Sequence, residues 1–121
     1  MDIFQDYKTA INLQGIAKIS ANAGQTQSHS WTADNEYHLT GIDYCVENHA
    51  CGITATLELY HPLDLVNPIY TFGKDVYIFD KHSYQFYTSQ LQTGLIIKTT
   101  IKNNSSNDIN FYYNFILHIM R

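Results

Sequence analysis

The hydrophobic positions of the last dozen residues fall on every second place: Ile109, Phe111, Tyr113, Phe115, Leu117 and Ile119. A period of two is that of a β-strand with one buried face, because successive side chains leave a pleated sheet on opposite sides. The alternate positions, Asn110, Tyr112, Asn114, Ile116, His118 and Met120, are too rich in aromatic and apolar groups for a plainly solvated face. The pattern predicts a strand covered on both sides, with Tyr112, Ile116 and Met120 forming an oligomer interface.

The beginning of the chain has a different period. Ile3, Phe4, Tyr7, Ala10 and Ile11 recur at three- and four-residue spacing, with Asp2 and Gln5 placed as in a capping box and Gly15 as a stop. Residues 1–14 are therefore expected to form a short amphipathic helix or arm, and residues 15–121 a β-domain. A helix this short must dock to be stable, and Phe4, Tyr7 and Ile11 are its candidate docking residues.

From Gly15 onward strands and turns alternate. Runs over 16–21, 28–33, 36–46 and 52–60 are followed by short ones over 69–72, 75–79 and 84–88, then by 94–102 and the final strand. Ile53, Ala55, Leu57 and Leu59 share one face, as do Leu95, Ile97, Thr99 and Ile101. The polar stretch Asn103 to Asn107 is expected to return the chain as a hairpin. About eight short antiparallel strands can bury their apolar faces only against a second sheet. Long connections near Tyr60 to Asn67 and Asp80 to Thr93 favour a Greek-key or jelly-roll order over a meander.

Length and composition narrow this further. A chain of 121 residues supports one core, and a 45% hydrophobic, 15% charged composition is globular with a neutral, hydrogen-bonding surface. A formal charge of −4 and scattered lysines argue against a nucleic-acid binder, which needs clustered cations. No run reaches the ~18 apolar residues of a membrane span.

Candidate chemistry is sparse. Cys45, His49 and Cys51 are the only tight group of soft ligands, and a closed zinc site would need a fourth ligand that no matching spacing supplies. No metal or other cofactor is expected. The Cys45 and Cys51 spacing would also let a disulfide join two strand ends, or leave both thiols free. There is no Gly-x-Ser-x-Gly elbow and no carboxylate pair that the sequence brings together, so no catalytic residue is assigned and an enzyme is not expected. Trp31 among Asn, Asp, Gln and Tyr could stack on a sugar, which makes a carbohydrate-binding module with a surface glycan as partner the competing reading; a lone tryptophan in a strand is more often core. Asn103 and Asn104 both fit the N-glycosylation pattern.

The segments "EYHLTGIDYCV", "GITATLELYHPLD" and "TGLIIKTTIKNNSSNDINFYYNFILHIMR" give a layout from Ala33 to Met120 that resembles small single jelly-roll proteins of virions, especially bacteriophage capsid accessory, penton and spike modules. The resemblance is of layout and carries over no functional residue. It implies a non-enzymatic structural protein of the virion, assembled in the host cytoplasm as a trimer or pentamer. It also implies attachment to other virion proteins through the N-terminal segment.

Overall fold

The computed structural model describes residues 17 to 119, with residues 86 to 89 described by backbone alone. Eight strands run in order: β1 (Ala17–Ala21), β2 (Thr26–Thr32), β3 (Tyr37–Glu47), β4 (Ile53–Tyr60), β5 (Tyr70–Tyr77), β6 (Lys81–Leu91), β7 (Ile96–Asn103) and β8 (Ile109–Ile119). They make two antiparallel four-stranded sheets, ordered β1-β8-β3-β6 and β2-β7-β4-β5. The chain is an all-β sandwich. Residues 1–14, with Phe4, Tyr7 and Ile11, lie outside the described residues, as does Met120.

Only the β4 to β5 connection joins strands of one sheet; every other connection crosses to the opposite sheet. The expected β7–β8 hairpin is therefore not formed. Both strands carry one largely apolar face, and each faces the other across the core instead of lying edge to edge. Ile97 and Ile101 of β7 and Phe111, Tyr113, Phe115 and Leu117 of β8 are all buried. Two further expectations change. The runs at 69–72 and 75–79 are one strand, β5, whose pairing with β4 is interrupted between Ala55 and Glu58 and whose Asp75 has φ 49°. The presumed connection over 80–93 is largely strand β6, which pairs with β3 from Tyr37↔Leu91 to Cys45↔Lys81.

The core is organised by β8. Its inward residues stand on one face at about 7 Å intervals, close enough for ring contacts. Phe111, Tyr113 and Phe115 touch in sequence at 5.4 and 5.5 Å, and Tyr44 meets Phe111 at 5.3 Å. Trp31 continues the series, 5.8 Å from Phe115 and 5.9 Å from Tyr37. Burial pushes the Tyr113 hydroxyl up to about 12, and that hydroxyl shares a 2.7 Å hydrogen bond with His29 Nδ1. Tyr37 is likewise raised to about 12, by burial first and by its hydrogen bond to Asp34 second.

One glycine is dictated by close approach. A Cβ on Gly41 would lie 2.6 Å from the Tyr84 carbonyl oxygen and 3.2 Å from Ile116 Cδ1. The β3 register shifts at this point against both neighbours, and Ile116 fills the space above it.

Candidate interaction surface

The two ends of the sandwich are built differently. At one end Asn103, which is 0% exposed, ties the β1–β2 loop to the β7–β8 loop, and its neighbours tie both to the β3–β4 loop. Its amide nitrogen donates to the carbonyls of Ala21 (3.0 Å) and Asn107 (2.8 Å), and its amide oxygen accepts from Ser105 N (3.0 Å) and Ser105 Oγ (2.6 Å). Its backbone bonds to Gly24 N and Gln25 O. Asn107 reaches Asn48 O at 3.1 Å and Asn104 N reaches Gly52 O at 2.9 Å. This end is closed by polar contacts.

The opposite end carries the β4–β5 loop, and there the polarity is inverted. His61 and Asp64 form an isolated bridge, and Asp64 N donates to His61 O at 3.0 Å. The Asp64 carboxylate then accepts from Val66 N and Asn67 N, both at 3.1 Å, and from Asn67 Nδ2 at 3.4 Å. These donors, with the Asn67 amide foremost, hold the Asp64 carboxyl below its ordinary value. Pro62 and Pro68 flank the turn and fix φ on either side. With polar groups satisfying the inside of the turn, the aliphatic side chains project outward. Leu63 is 89% exposed, Val66 82% and Leu65 64%, and Ile69 and Tyr70 are more than half exposed. These neighbouring residues make an exposed apolar patch, a feature that is often functional in a monomer. In the β2–β3 loop Asp34 accepts the Tyr37 hydroxyl.

A second apolar feature lies between the sheets. A cavity of about 40 Å³ opens between edge strands β5 and β6, lined by Ala55, Leu57, Phe72, Val76, Ile78 and Tyr84 among others. Tyr77 and Phe79, near the far end of β5, are exposed.

The residues singled out from the sequence fall elsewhere. Ile116 does point away from the core cluster, yet it is only 5% exposed within the single chain, because it packs over Gly41. Little of its side chain is left at the surface of the single chain. Tyr112 is half-buried, in register between Lys18 of β1 and Cys45 of β3. The face around it is bound together by polar groups: Ser20 donates to Asn110, Asn110 to Glu47, and Ser83 to Asp43. Trp31 is half-buried against Tyr37 and Phe115, so its ring is part of the aromatic core. Cys45 and Cys51 are unbridged and exposed, and His49 Nε2 donates to the Ile78 carbonyl at 2.8 Å. Among the described residues no three His, Cys, Asp or Glu side chains gather as a metal-holding group. Also among them, no helix is long and apolar enough to cross a membrane. Asn103 is enclosed and fully bonded, whereas Asn104 is exposed.

The loop residues Leu63, Leu65, Val66 and Ile69 were not reached by sequence reasoning. Their signal was present: three aliphatics between two prolines, in a stretch whose flanking turn chemistry forbids a strand, have no core of their own to enter. The sequence matches no protein-family model and no curated protein.

Proposed function

We propose that the chain is a non-enzymatic structural protein of a virion, a jelly-roll subunit that assembles as a symmetric trimer or pentamer. The observation carrying this reading is the strand order. Two four-stranded sheets ordered β1-β8-β3-β6 and β2-β7-β4-β5, with all but one connection crossing the sandwich, support a reading as the double Greek key of jelly rolls, the architecture of many capsid and lectin domains. Fold alone does not select among the functions this architecture hosts. The rigid, outward apolar loop favours an assembling subunit over a solitary binding module, since isolated soluble domains seldom hold several aliphatics in water.

In this reading the carboxylates serve structure. Asp34, Asp43, Glu47, Asp64 and Asp108 each accept a local hydrogen bond, and Asp75 pairs with Lys102 at 3.3 Å. Phe4, Tyr7 and Ile11 would fasten the subunit to other virion proteins. Light scattering on the 121-residue chain tests the proposal. A trimer or pentamer is expected, and a monomer from micromolar to near-millimolar concentration would overturn it.

A further inference from the structure

We propose that the free edge of β2 pairs with β2 of a second copy of this chain, antiparallel about a two-fold axis at His29. One such contact joins two subunits and cannot close a trimer or pentamer, so it goes beyond the assembly reading above and stands independently of it.

A strand at the edge of a sheet offers unpaired main-chain donors and acceptors, and soluble proteins blunt such edges with shortness, charge, proline or a bulge. The edge strands are β1 and β6 in one sheet and β2 and β5 in the other. Strand β1 has five residues and carries Lys18, and β5 carries Lys74 and Asp75 where its pairing with β4 is interrupted. Strand β6 opens on Lys81, and its register with β3 breaks at Gly41. Strand β2 has none of these devices. Its seven residues run in unbroken register with β7 from Thr26↔Lys102 to Thr32↔Ile96, and no charged residue or proline occurs from Asn22 to Ala33. Among the described residues no strand pairs with its other side.

Alternation fixes which groups stand at that edge. Gln25 O accepts from Asn103 N and Ala33 N donates to Leu95 O, both at 2.9 Å, so the odd-numbered residues turn their main chain toward β7. Thr26, Ser28, Ser30 and Thr32 therefore turn theirs outward. Their side chains are exposed as well, on the face opposite His29 and Trp31, which reach Tyr113 and Phe115 in the core.

These groups select the occupant. A row of main-chain donors and acceptors takes another strand, and among the described residues the unblunted edge that a second copy offers is β2 itself. Its sequence, Thr-Gln-Ser-His-Ser-Trp-Thr, is close to a palindrome. Pairing the whole strand with itself sets Thr26 beside Thr32 of the second copy, Ser28 beside Ser30, and His29 beside His29. Thr and Ser pairs across antiparallel strands are favourable, and with histidine neutral no like charges meet. Outward-facing residues fall opposite outward-facing ones, the arrangement in which each pair exchanges both of its main-chain hydrogen bonds. The contact is isologous and leaves β2 without a free edge.

The experiment is a register scan by disulfide trapping at near-millimolar concentration, in chains carrying Cys45→Ser and Cys51→Ser, with thermal unfolding to verify that each is folded. His29→Cys places two thiols at the axis, where the Cα atoms of a non-hydrogen-bonded pair are about 4.5 Å apart, within the ~4.4–6.8 Å that a disulfide spans. Thr26→Cys places them roughly 20 Å apart. His29→Cys is expected to give a linked species of two 13.9 kDa chains at least about tenfold faster than Thr26→Cys. Adding Ser30→Pro should reduce His29→Cys to the slower rate, since it removes an outward N–H and leaves the β7 ladder intact. Should His29→Cys not fold, Ser28→Cys and Ser30→Cys together replace it, because those two positions lie side by side across the axis. Linking no faster than in Thr26→Cys, linking that survives the proline, or no linking at all overturns the pairing. Ring mass is read separately by light scattering, so the assembly reading stands or falls on its own.

Discussion

Replacing Asn103 by alanine should destabilise the sandwich by about 2–4 kcal/mol, an unusually large effect for a residue in a polar loop sequence. The side chain satisfies its full capacity, two donors and two acceptors, while being wholly enclosed. The four bonds do not count equally. Ser105 and Asn107 lie near the surface, where water can replace what the amide supplied, so their bonds contribute about 1 kcal/mol together. Ala21 is 0% exposed, and its carbonyl, left without a donor, carries a desolvation penalty of roughly 1–3 kcal/mol. For a domain of this length that total lowers the melting temperature by about 10 °C. Urea unfolding is the assay: the midpoint should fall while the slope stays constant. Asn104→Ala, one residue away and exposed, should change stability by no more than about 0.5 kcal/mol. A loss below about 1 kcal/mol in Asn103→Ala, or equal losses in both variants, would refute the assignment of Asn103 as the clasp of this end.

Two further outcomes follow from the geometry. The Asp64 carboxyl is held below its ordinary value of 3.8 by the Asn67 and Val66 amides. A carboxyl lowered on folding stabilises the loop above its unfolded value, and that contribution is lost as the pH falls through the lowered one. The Val66 and Asn67 amide resonances should therefore titrate together with a midpoint under 3.8, and a midpoint at or above that value would contradict the turn described. Ile116→Ala should cost roughly 2–5 kcal/mol through the void left over Gly41. It should leave the solution mass unchanged, and a change in mass without loss of stability would return Ile116 to the interface.

Much of the sandwich was legible because both of its sheets have one clean face. Strands β4, β7 and β8 show a period of two that the buried residues reproduce: Ile53, Leu57 and Leu59, then Ile97, Thr99 and Ile101, then Ile109 to Leu117. Pairing between them was not legible, since alternation says which side of a strand is buried and nothing about its lateral neighbours. The Asn103 to Asn107 loop could equally close a hairpin or turn a corner between sheets, and the enclosed Asn103 amide is what makes it a corner. Edge strands were the least visible. Strand β6 has few aliphatics because one flank faces solvent, and β5 is broken in pattern where Gly73 to Asp75 bulge. Ile116 misled for a specific reason: its outward position depends on alternation, whereas its burial depends on a glycine across the sheet, which a period cannot reveal. The exposed loop was missed because loops are assumed polar.

The exposed loop has a strength that can be bounded. Removing an apolar patch of the ~300–600 Å² usual for a monomer's largest from water is worth at most roughly 8–15 kcal/mol at ~25 cal/mol per Å², and association costs ~4–15 kcal/mol before any surplus appears. A single contact made through this loop is therefore close to balanced. Two features of the chain move it toward binding. The turn is already fixed by Asp64, Pro62 and Pro68, so little ordering remains to be opposed when it docks. In a ring, moreover, the last contact forms within an assembled complex at high effective concentration. Marginal pairs and a stabilised ring make assembly cooperative: a dilution series should show monomer and closed ring, with pairs scarce throughout. A substantial dimer population at intermediate dilution would mean that one contact suffices, and the surface responsible would then have to be larger than this loop provides.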